Sequence, residues 1–445
     1  MTTASFPRRS RLRDRLWMRV SEDSLSRHSD FNKLWFGQAV SVLGSEVTTL
    51  ALPLTAILML GASAMEVGLL NTFNTVATLT LMLFAGVLVD RVRRRRLMIF
   101  ADVGRALCIG ALPVLALTDN LTMEALYAAV TITGALTVLF ELAYFAYLPS
   151  LVSESQLVSA NSRLQGTESA GGIAGANLGG ALVTVFRPAY VLVVDAISFV
   201  VSAVSLAAIR RPDPKPEREA APEGGRLRQV FKEIGEGIGP NFKNAYLRPL
   251  TLNSATTNFL SQIILTLFIL YAARDLHLSA VWIGVIYGAG SVGGVAGAIA
   301  MGWASRKFGF GRALLGAMTA FRALTIAPLI TGPDWLLIPS LALIWFLTVF
   351  GVVMYNVSVA TLRQVVVPSE LQGRVLAAHR LIGYGTLPIA ALLAGIFGEV
   401  IGVHTTLVIA GLLLPPTMYW VIASPLPGLV KPEDATFEGG AARVG

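Results

Sequence analysis

Apolar residues in this chain do not alternate with polar ones; they come in long blocks. Asp, Glu, Lys and Arg are absent from 47–65, 67–89, 125–140, 249–273, 276–305, 335–362 and 400–430. A helix needs about 20 mostly apolar residues to cross a bilayer. Split at turn residues, the apolar blocks predict twelve spans, near 31–60, 65–89, 97–117, 122–147, 159–186, 188–209, 249–273, 280–304, 312–331, 335–360, 373–399 and 403–424. An even number of spans places both ends of the chain on one side.

The polar punctuation between blocks orients them. Eight Lys/Arg precede the first span through Lys33, five fall in 91–96, nine in 210–248 and three in 306–312, all on one side of the twelve-span arrangement. The opposite loops hold only Arg187 and Arg274. Basic residues accumulate on the cytoplasmic side, so both termini are expected there, in a cell membrane. Residues 210–247 are polar and rich in Pro and Gly, and they predict a cytoplasmic linker that ends in an amphipathic surface stretch around Leu227 to Ile238. The expected organisation is a basic tail (1–30), a six-helix bundle (31–209), the linker, a second six-helix bundle (248–424) and a C-terminal tail (425–445).

The two halves repeat. Ser63, Ala64 and Gly68 match Ser279, Ala280 and Gly284 at an offset of 216, and Gly86 matches Gly302 at the same offset. Arg105-Ala106-Leu107 matches Arg322-Ala323-Leu324 at 217, and Leu148, Val152 and Leu157 match Leu362, Val366 and Leu371 at 214. A parallel repeat of six spans is the pattern of carriers whose halves rock about a central site.

Composition narrows the function classes. Of 445 residues, 14% are charged and 54% hydrophobic, with a mean hydropathy of +0.66. Soluble proteins carry roughly 25% charged residues, so most soluble enzymes and disordered proteins are excluded. The single cysteine, Cys108, excludes an intrachain disulfide, a Cys-based zinc site and an iron–sulfur cluster. The basic start lacks the apolar core and cleavage site of a signal peptide. The net charge of +8 is accounted for by topology and calls for no nucleic-acid partner. No GxxxxGK[ST] loop is present, so energy for transport has to come from an ion gradient or a partner. His28, His277, His379 and His404 are scattered, with no nucleophile constellation and no metal or cofactor site, so no enzyme is expected.

The segment Gly86-Val-Leu-Val-Asp90-Arg91-Val-Arg-Arg94-Arg95-Arg96 resembles the loop motif between the second and third helices of the major facilitator superfamily, commonly G-x-L-x-D-R-x-G-R-R/K. Arg93 replaces the second Gly, as in the drug/proton antiporter group that includes enterobactin exporters and macrolide efflux proteins. Residues 146–162 and 362–377 are similar to the same group. In the fifth span, Gly171, Gly175, Gly179 and Gly180 resemble the antiporter motif G-x-x-x-G-P-x-x-G-G, with Ala176 in place of Pro. That motif accompanies exporters, although small residues at this spacing also serve helix packing alone. The resemblance implies an all-α membrane protein with twelve transmembrane helices in two pseudo-symmetric six-helix bundles, the major facilitator fold. It also implies a gating loop at Gly86, Asp90, Arg91, Arg94 and Arg95.

Carboxylates at membrane depth are costly and are functional candidates. Glu46, Glu141, Glu168 and Asp195 are the proton-coupling candidates, with Glu46 first because it falls at the middle of its span. Ser41, Ser45 and Thr49 are alternative partners that would make Glu46 structural, and Arg91 or Arg94 would make Glu141 part of a gate. Asp102 and Arg105, one turn apart, are expected to pair. The second half keeps its acids, Asp275, Asp334, Glu370 and Glu399, in loops or at helix ends, and the repeat sets Gln262 opposite Glu46. A substrate path is expected along Asn71, Asn74, Tyr144, Asn253, Asn258, Gln262, Phe268, Tyr271, Trp345, Tyr355 and Asn356, because aromatic faces with a few amides suit an amphipathic solute. The resulting expectation is a monomeric, proton-coupled exporter of a small amphipathic compound working by alternating access. The alternatives are an exporter of a siderophore or other endogenous metabolite, and a membrane scaffold that moves no substrate.

Overall fold

The computed structural model describes residue 25 and residues 28–89, 92–211, 226–330 and 332–435. Most of the basic tail, Asp90, Arg91, the linker stretch 212–225 and the last ten residues lie outside the described residues. The elements in chain order are α1 (Ser29–Leu54, continued by a π turn Thr55–Met59), α2 (Ala64–Val89), α3 (Arg94–Leu117), α4 (Met123–Leu151), α5 (Glu154–Val185) and α6 (Pro188–Ala207). After the linker come α7 (Arg226–Lys243), α8 (Leu247–Arg274), α9 (Ala280–Phe308), α10 (Phe310–Phe321, continued as a 3-10 helix Arg322–Leu329), α11 (Asp334–Val366), α12 (Gln372–Tyr384), α13 (Leu387–Val400), α14 (Val403–Leu413) and α15 (Tyr419–Ile422).

Counting α12 with α13 and α14 with α15, and leaving α7 aside, these form twelve rods. Nine of them, among the described residues, are long and apolar enough to cross a membrane. The other three are α2, a 26-residue helix that runs into Asp90 and Arg91 outside the described residues, α5, where Gly, Ser, Asn and Gln cover both contact faces, and α10, which tightens into the 3-10 helix at Arg322. The α12–α13 break falls just before Pro388, which has no N–H to continue the ladder.

The sequence repeat is a structural repeat. In the first half α1 packs on α5 and α6, α3 on α4 and α6, and α2 on α4. In the second half α8 packs on α13 and α14, α10 and its extension on α11 and α14, and α9 on α11. Each second-half contact is its first-half counterpart six rods on. Between the halves, α2 packs on α13 and α5 on α9.

Apolar packing differs at the two ends. At the end holding the turns 60–63, 118–122 and 275–279, here the far end, one buried cluster runs through both halves and joins Val67, Leu126, Leu267, Ile283 and Ala394. At the opposite, linker end two separate clusters form, one per half, around Tyr147 and around Leu314. The bundles are therefore joined at the far end and parted at the linker end.

Glycines make the far-end contact possible. A Cβ on Gly68 of α2 would stand 2.5 Å from Gly395 Cα of α13, and one on Gly180 of α5 would stand 2.6 Å from the Ala280 carbonyl oxygen at the start of α9. Gly284 faces Gly180 reciprocally, its Cβ falling 2.6 Å from the Ala176 carbonyl. Gly68 and Gly284 are the pair matched in the sequence repeat, so that repeat marks one half of each inter-bundle contact. Glu399 adds a bond across the same end, its Oε2 accepting from Met65 N–H at 3.4 Å, at a helix N-terminus that favours negative charge. Towards the linker end α5 and α9 separate into a groove lined by Gln165, Ser169 and Ala170 on one side and Val295, Ala298 and Ile299 on the other.

Arginines tie the linker end of the first bundle to helix C-termini, where carbonyls carry partial negative charge. Arg94 Nη1 donates to the Ala146 carbonyl at 2.7 Å, Arg95 Nε to Leu206 O at 2.7 Å, and Arg211 Nη1 to Leu151 O at 2.6 Å. The amphipathic stretch expected in the linker forms α7 and lies on α12. Asn241 Nδ2 donates to Val375 O at 2.9 Å, and Glu236 pairs with Arg374 at 2.7 Å.

Candidate functional site

The first bundle holds the carboxylates, and the structure separates them by access. Asp195 on α6 is 1% exposed and accepts from Ser198 Oγ at 3.1 Å and from Ser45 Oγ of α1 at 3.3 Å. Gly44 leaves the space it occupies, since a Cβ there would fall 2.8 Å from its Oδ1. Asp195 is thus a sealed, satisfied carboxyl between two helices. Asp102 and Arg105 pair on α3 as expected, both buried, with the guanidinium over the rings of Phe140 (4.5 Å) and Phe199 (4.3 Å).

Glu46 differs from both. It is partly exposed and makes no hydrogen bond among the described residues, while Ser45 and Thr49 bond elsewhere, to Asp195 and to the Ser45 carbonyl. It lies against Gly175, so the glycine run of α5 seats it: Gly171, Gly175 and Gly179 face Val42, Glu46 and Val47 of α1. Gly180, on another face of α5, meets α9 instead. The glycine run is therefore a two-sided packing surface. Glu141 and Glu168 are both exposed and within electrostatic range of each other, and Glu141 is within range of Arg105. Gln165 Nε2 donates to Glu168 at 3.0 Å. Arg94 is taken by the Ala146 carbonyl, so no pair forms between it and Glu141. Glu46 thus stands where α1 meets α5, and Glu141 and Glu168 are exposed on α4 and α5.

The expected substrate path divides in the structure. Trp345 is buried, with its ring 4.0 Å from that of Phe268 and 5.4 Å from that of Tyr287, an aromatic plug in the far-end cluster. Tyr271 is also buried there, stacked on His404. Tyr144 is buried on Phe140. Asn71 donates to Val67 O within its own helix, and Gln262 donates to Thr266 Oγ1 at 3.2 Å. Asn74 is exposed.

Asn253, Asn258, Tyr355 and Asn356 do converge, on a cavity of about 410 Å³ in the second bundle. Asn258 Nδ2 donates to Gly383 O at 3.1 Å, at the α12–α13 break. Tyr355 O–H donates to Leu250 O at 3.0 Å and accepts from Ser254 Oγ at 3.0 Å. The same cavity holds Arg322, Arg363, His379 and Arg380, which the sequence reading left out. Arg322 carried a signal because it repeats the buried Arg105, and His379 beside Arg380 is the one histidine near a region of interest in the sequence; Arg363 reads as a residue at the edge of an apolar block.

A family model described as Major Facilitator Superfamily matches residues 34–387. The multidrug efflux pump Tap of Mycolicibacterium fortuitum is 26% identical over 88% of this chain and 95% of its own length. Macrolide efflux protein A of Streptococcus pyogenes is 25% identical over 86% and 93%, and the enterobactin exporter EntS of Citrobacter koseri 25% over 79% and 81%. Among solved structures, a D323A mutant of the nucleoside transporter NupG superposes with a TM-score of 0.72 at 10% identity, covering 88% of this chain and 99% of that one. A bacterial homologue of the iron transporter ferroportin, 16% identical in its inward-facing state, superposes with a TM-score of 0.66 over 89% of this chain and 99% of its own. With the repeated bundles and the parted cleft, the match over most of its length makes this chain a member of the major facilitator superfamily, a multi-pass membrane transporter and not an enzyme.

Proposed function

We propose that this chain exports a small amphipathic compound across the cell membrane, driven by protons that enter through the first bundle. The observation that carries the reading is the division of charge across the cleft. Among the described residues, the accessible carboxylates within spans stand on the first bundle, those of the second bundle falling in loops or at helix ends, and the amide- and arginine-lined cavity stands on the second. A proton-coupled carrier needs a group that is charged in one facing state and neutral in the other, and Glu46, with no partner to hold its charge, suits that role. The relatives named as efflux pumps and as an exporter support the outward direction. In this reading the linker end and both termini are cytoplasmic, the bundles 31–209 and 248–424 rock about the cleft, and one chain suffices. The far-end seal and the linker-end groove correspond to a cleft open to the cytoplasm.

The test is uptake into inverted membrane vesicles, acid inside, of two fluorescent probes, the anionic dansyl-glycine and the cationic ethidium. Uptake of at least one should rise several-fold over vesicles lacking the protein and collapse with an uncoupler. Uptake that ignores the uncoupler removes proton coupling from the reading. Orientation has its own check: a reporter fused after Lys215 should report a cytoplasmic site, and one inserted near Asn120 an external site. The reverse pattern overturns the charge-bias argument.

A further inference from the structure

Three guanidinium groups of the second bundle, which the proton-coupling reading does not use, converge. Arg322 from the end of α10, Arg363 from the last turn of α11 and Arg380 from α12 line the 410 Å³ cavity, and no Asp or Glu lines it. Two other arginines among the described residues meet a carboxylate: Arg105 is paired with Asp102 and Arg374 with Glu236. These three do not. Arg322 is 7% exposed; its Nη atoms donate to Met318 O, Asn253 Oδ1 and Thr417 Oγ1, and its Nε has no partner. Arg363 and Arg380 make no hydrogen bond or ion pair among the described residues and lie close enough to repel each other.

Arg322 is buried, where an uncompensated cation is costly, while Arg363 is partly exposed and Arg380 exposed at the mouth of the cavity, so water carries part of their charge and their mutual repulsion remains. An anion between Arg363 and Arg380 relieves that repulsion and brings a negative charge to Arg322 behind them. The planar guanidinium fork matches a carboxylate through two parallel N–H···O bonds. Beside the arginines the cavity presents Phe321 and Tyr384, room for an apolar or aromatic body.

We propose that this cavity binds the acidic group of an amphipathic organic anion, with Arg363 and Arg380 as its clamp and Arg322 as the charge behind it. The proposal rests on the export reading for its consequence, that the compound carried is an amphipathic acid, and stands apart from it as a statement about binding. Outward movement of such an anion is favoured by a membrane potential negative inside.

The experiment uses the full-length protein in nanodiscs and three probes that share one fluorophore: dansyl-glycine (a carboxylate), dansyl-glycinamide (neutral) and dansyl-cadaverine (a cation). Fluorescence titration should rank the carboxylate about tenfold or more above the other two, the size expected of a charge-assisted bidentate pair that is partly open to water. Arg363→Gln and Arg380→Gln should each remove most of that preference, and Arg380→Lys should keep part of it, while the weak binding of the neutral probe stays unchanged. Equal affinity for the three probes, preference for the cation, or no binding of the carboxylate by the unaltered protein overturns the proposal, and that ranking needs no variant to fold. Variants that slow transport of all three probes alike, with the carboxylate preference intact, would make the arginines a gate and also overturn it. If the carboxylate binds as described and yet no probe accumulates in acid-loaded vesicles, the export reading has failed and the anion site stands.

Discussion

Glu46→Gln should abolish pH-driven accumulation while leaving solute exchange intact. Glutamine keeps the size of the side chain and its packing on Gly175, and it fixes the neutral form permanently. The carrier still binds solute and still converts between facing states, so counterflow of labelled against unlabelled probe persists. The step that biases the two states is gone. For one proton per solute, a gradient of about two pH units supports up to about 100-fold accumulation, since each unit is worth about 1.4 kcal/mol; the variant should fall to equilibration. Asp195→Asn is the informative comparison. Its carboxyl is held by Ser45 and Ser198 at 1% exposure, so its loss should lower the amount of folded protein more than the coupling of what remains. The measurement is uptake and counterflow in inverted vesicles for both variants. Full uphill accumulation by Glu46→Gln removes this residue from the mechanism and passes the role to Glu141 or Glu168.

The second large effect is expected at the far-end seal. Gly180→Leu places a side chain where Cβ alone would lie 2.6 Å from the Ala280 carbonyl and 3.2 Å from Gly284 Cα. Both are backbone atoms, so no rotamer change relieves the clash, and α5 and α9 have to part. Gly395→Leu does the same on the pseudo-symmetric side, where Cβ would lie 3.1 Å from both Gly68 Cα and Met65 Cα. A carrier unable to close at the far end cannot complete a cycle that needs both facing states, so transport should drop by about tenfold or more for each, the size expected when the population of one state is shifted by about 1.4 kcal/mol. Gly316→Leu serves as control, since a Cβ at Gly316 meets nothing within 4 Å. A cysteine at Val67, buried at 1% in the far-end cluster, in a background with Cys108→Ser, reads the seal directly. Impermeant maleimide added outside should label it faster in Gly180→Leu than in Gly316→Leu. Unchanged labelling together with normal transport would mean that the glycine contact is not the seal.

The residues differ in how far sequence could place them. Span positions, the loop motif and the repeat are one-dimensional properties. A helix in lipid has to satisfy its own backbone and show apolar side chains over about 20 residues, so apolar blocks and charged punctuation are readable without any partner. The segregation of carboxylates into one half was readable for the same reason, and so was the Asp102–Arg105 pair, one turn apart on a single helix. What each group touches across helices was not readable. Glu46 and Asp195 look alike as acids within apolar runs, and only the α1–α5–α6 packing leaves one unpartnered beside a glycine and seals the other between serines. Trp345 and Tyr355 look alike as aromatics ten residues apart on α11, yet one plugs the far end and the other lines the cavity. Arg322, Arg363 and Arg380 come from three different helices, and no spacing along the chain announces that they meet. The sequence by itself determined where the apolar segments lie and how the halves correspond. The tertiary structure alone decided which polar groups are satisfied, which are left exposed and which converge, because those outcomes depend on how helices distant in sequence pack face to face.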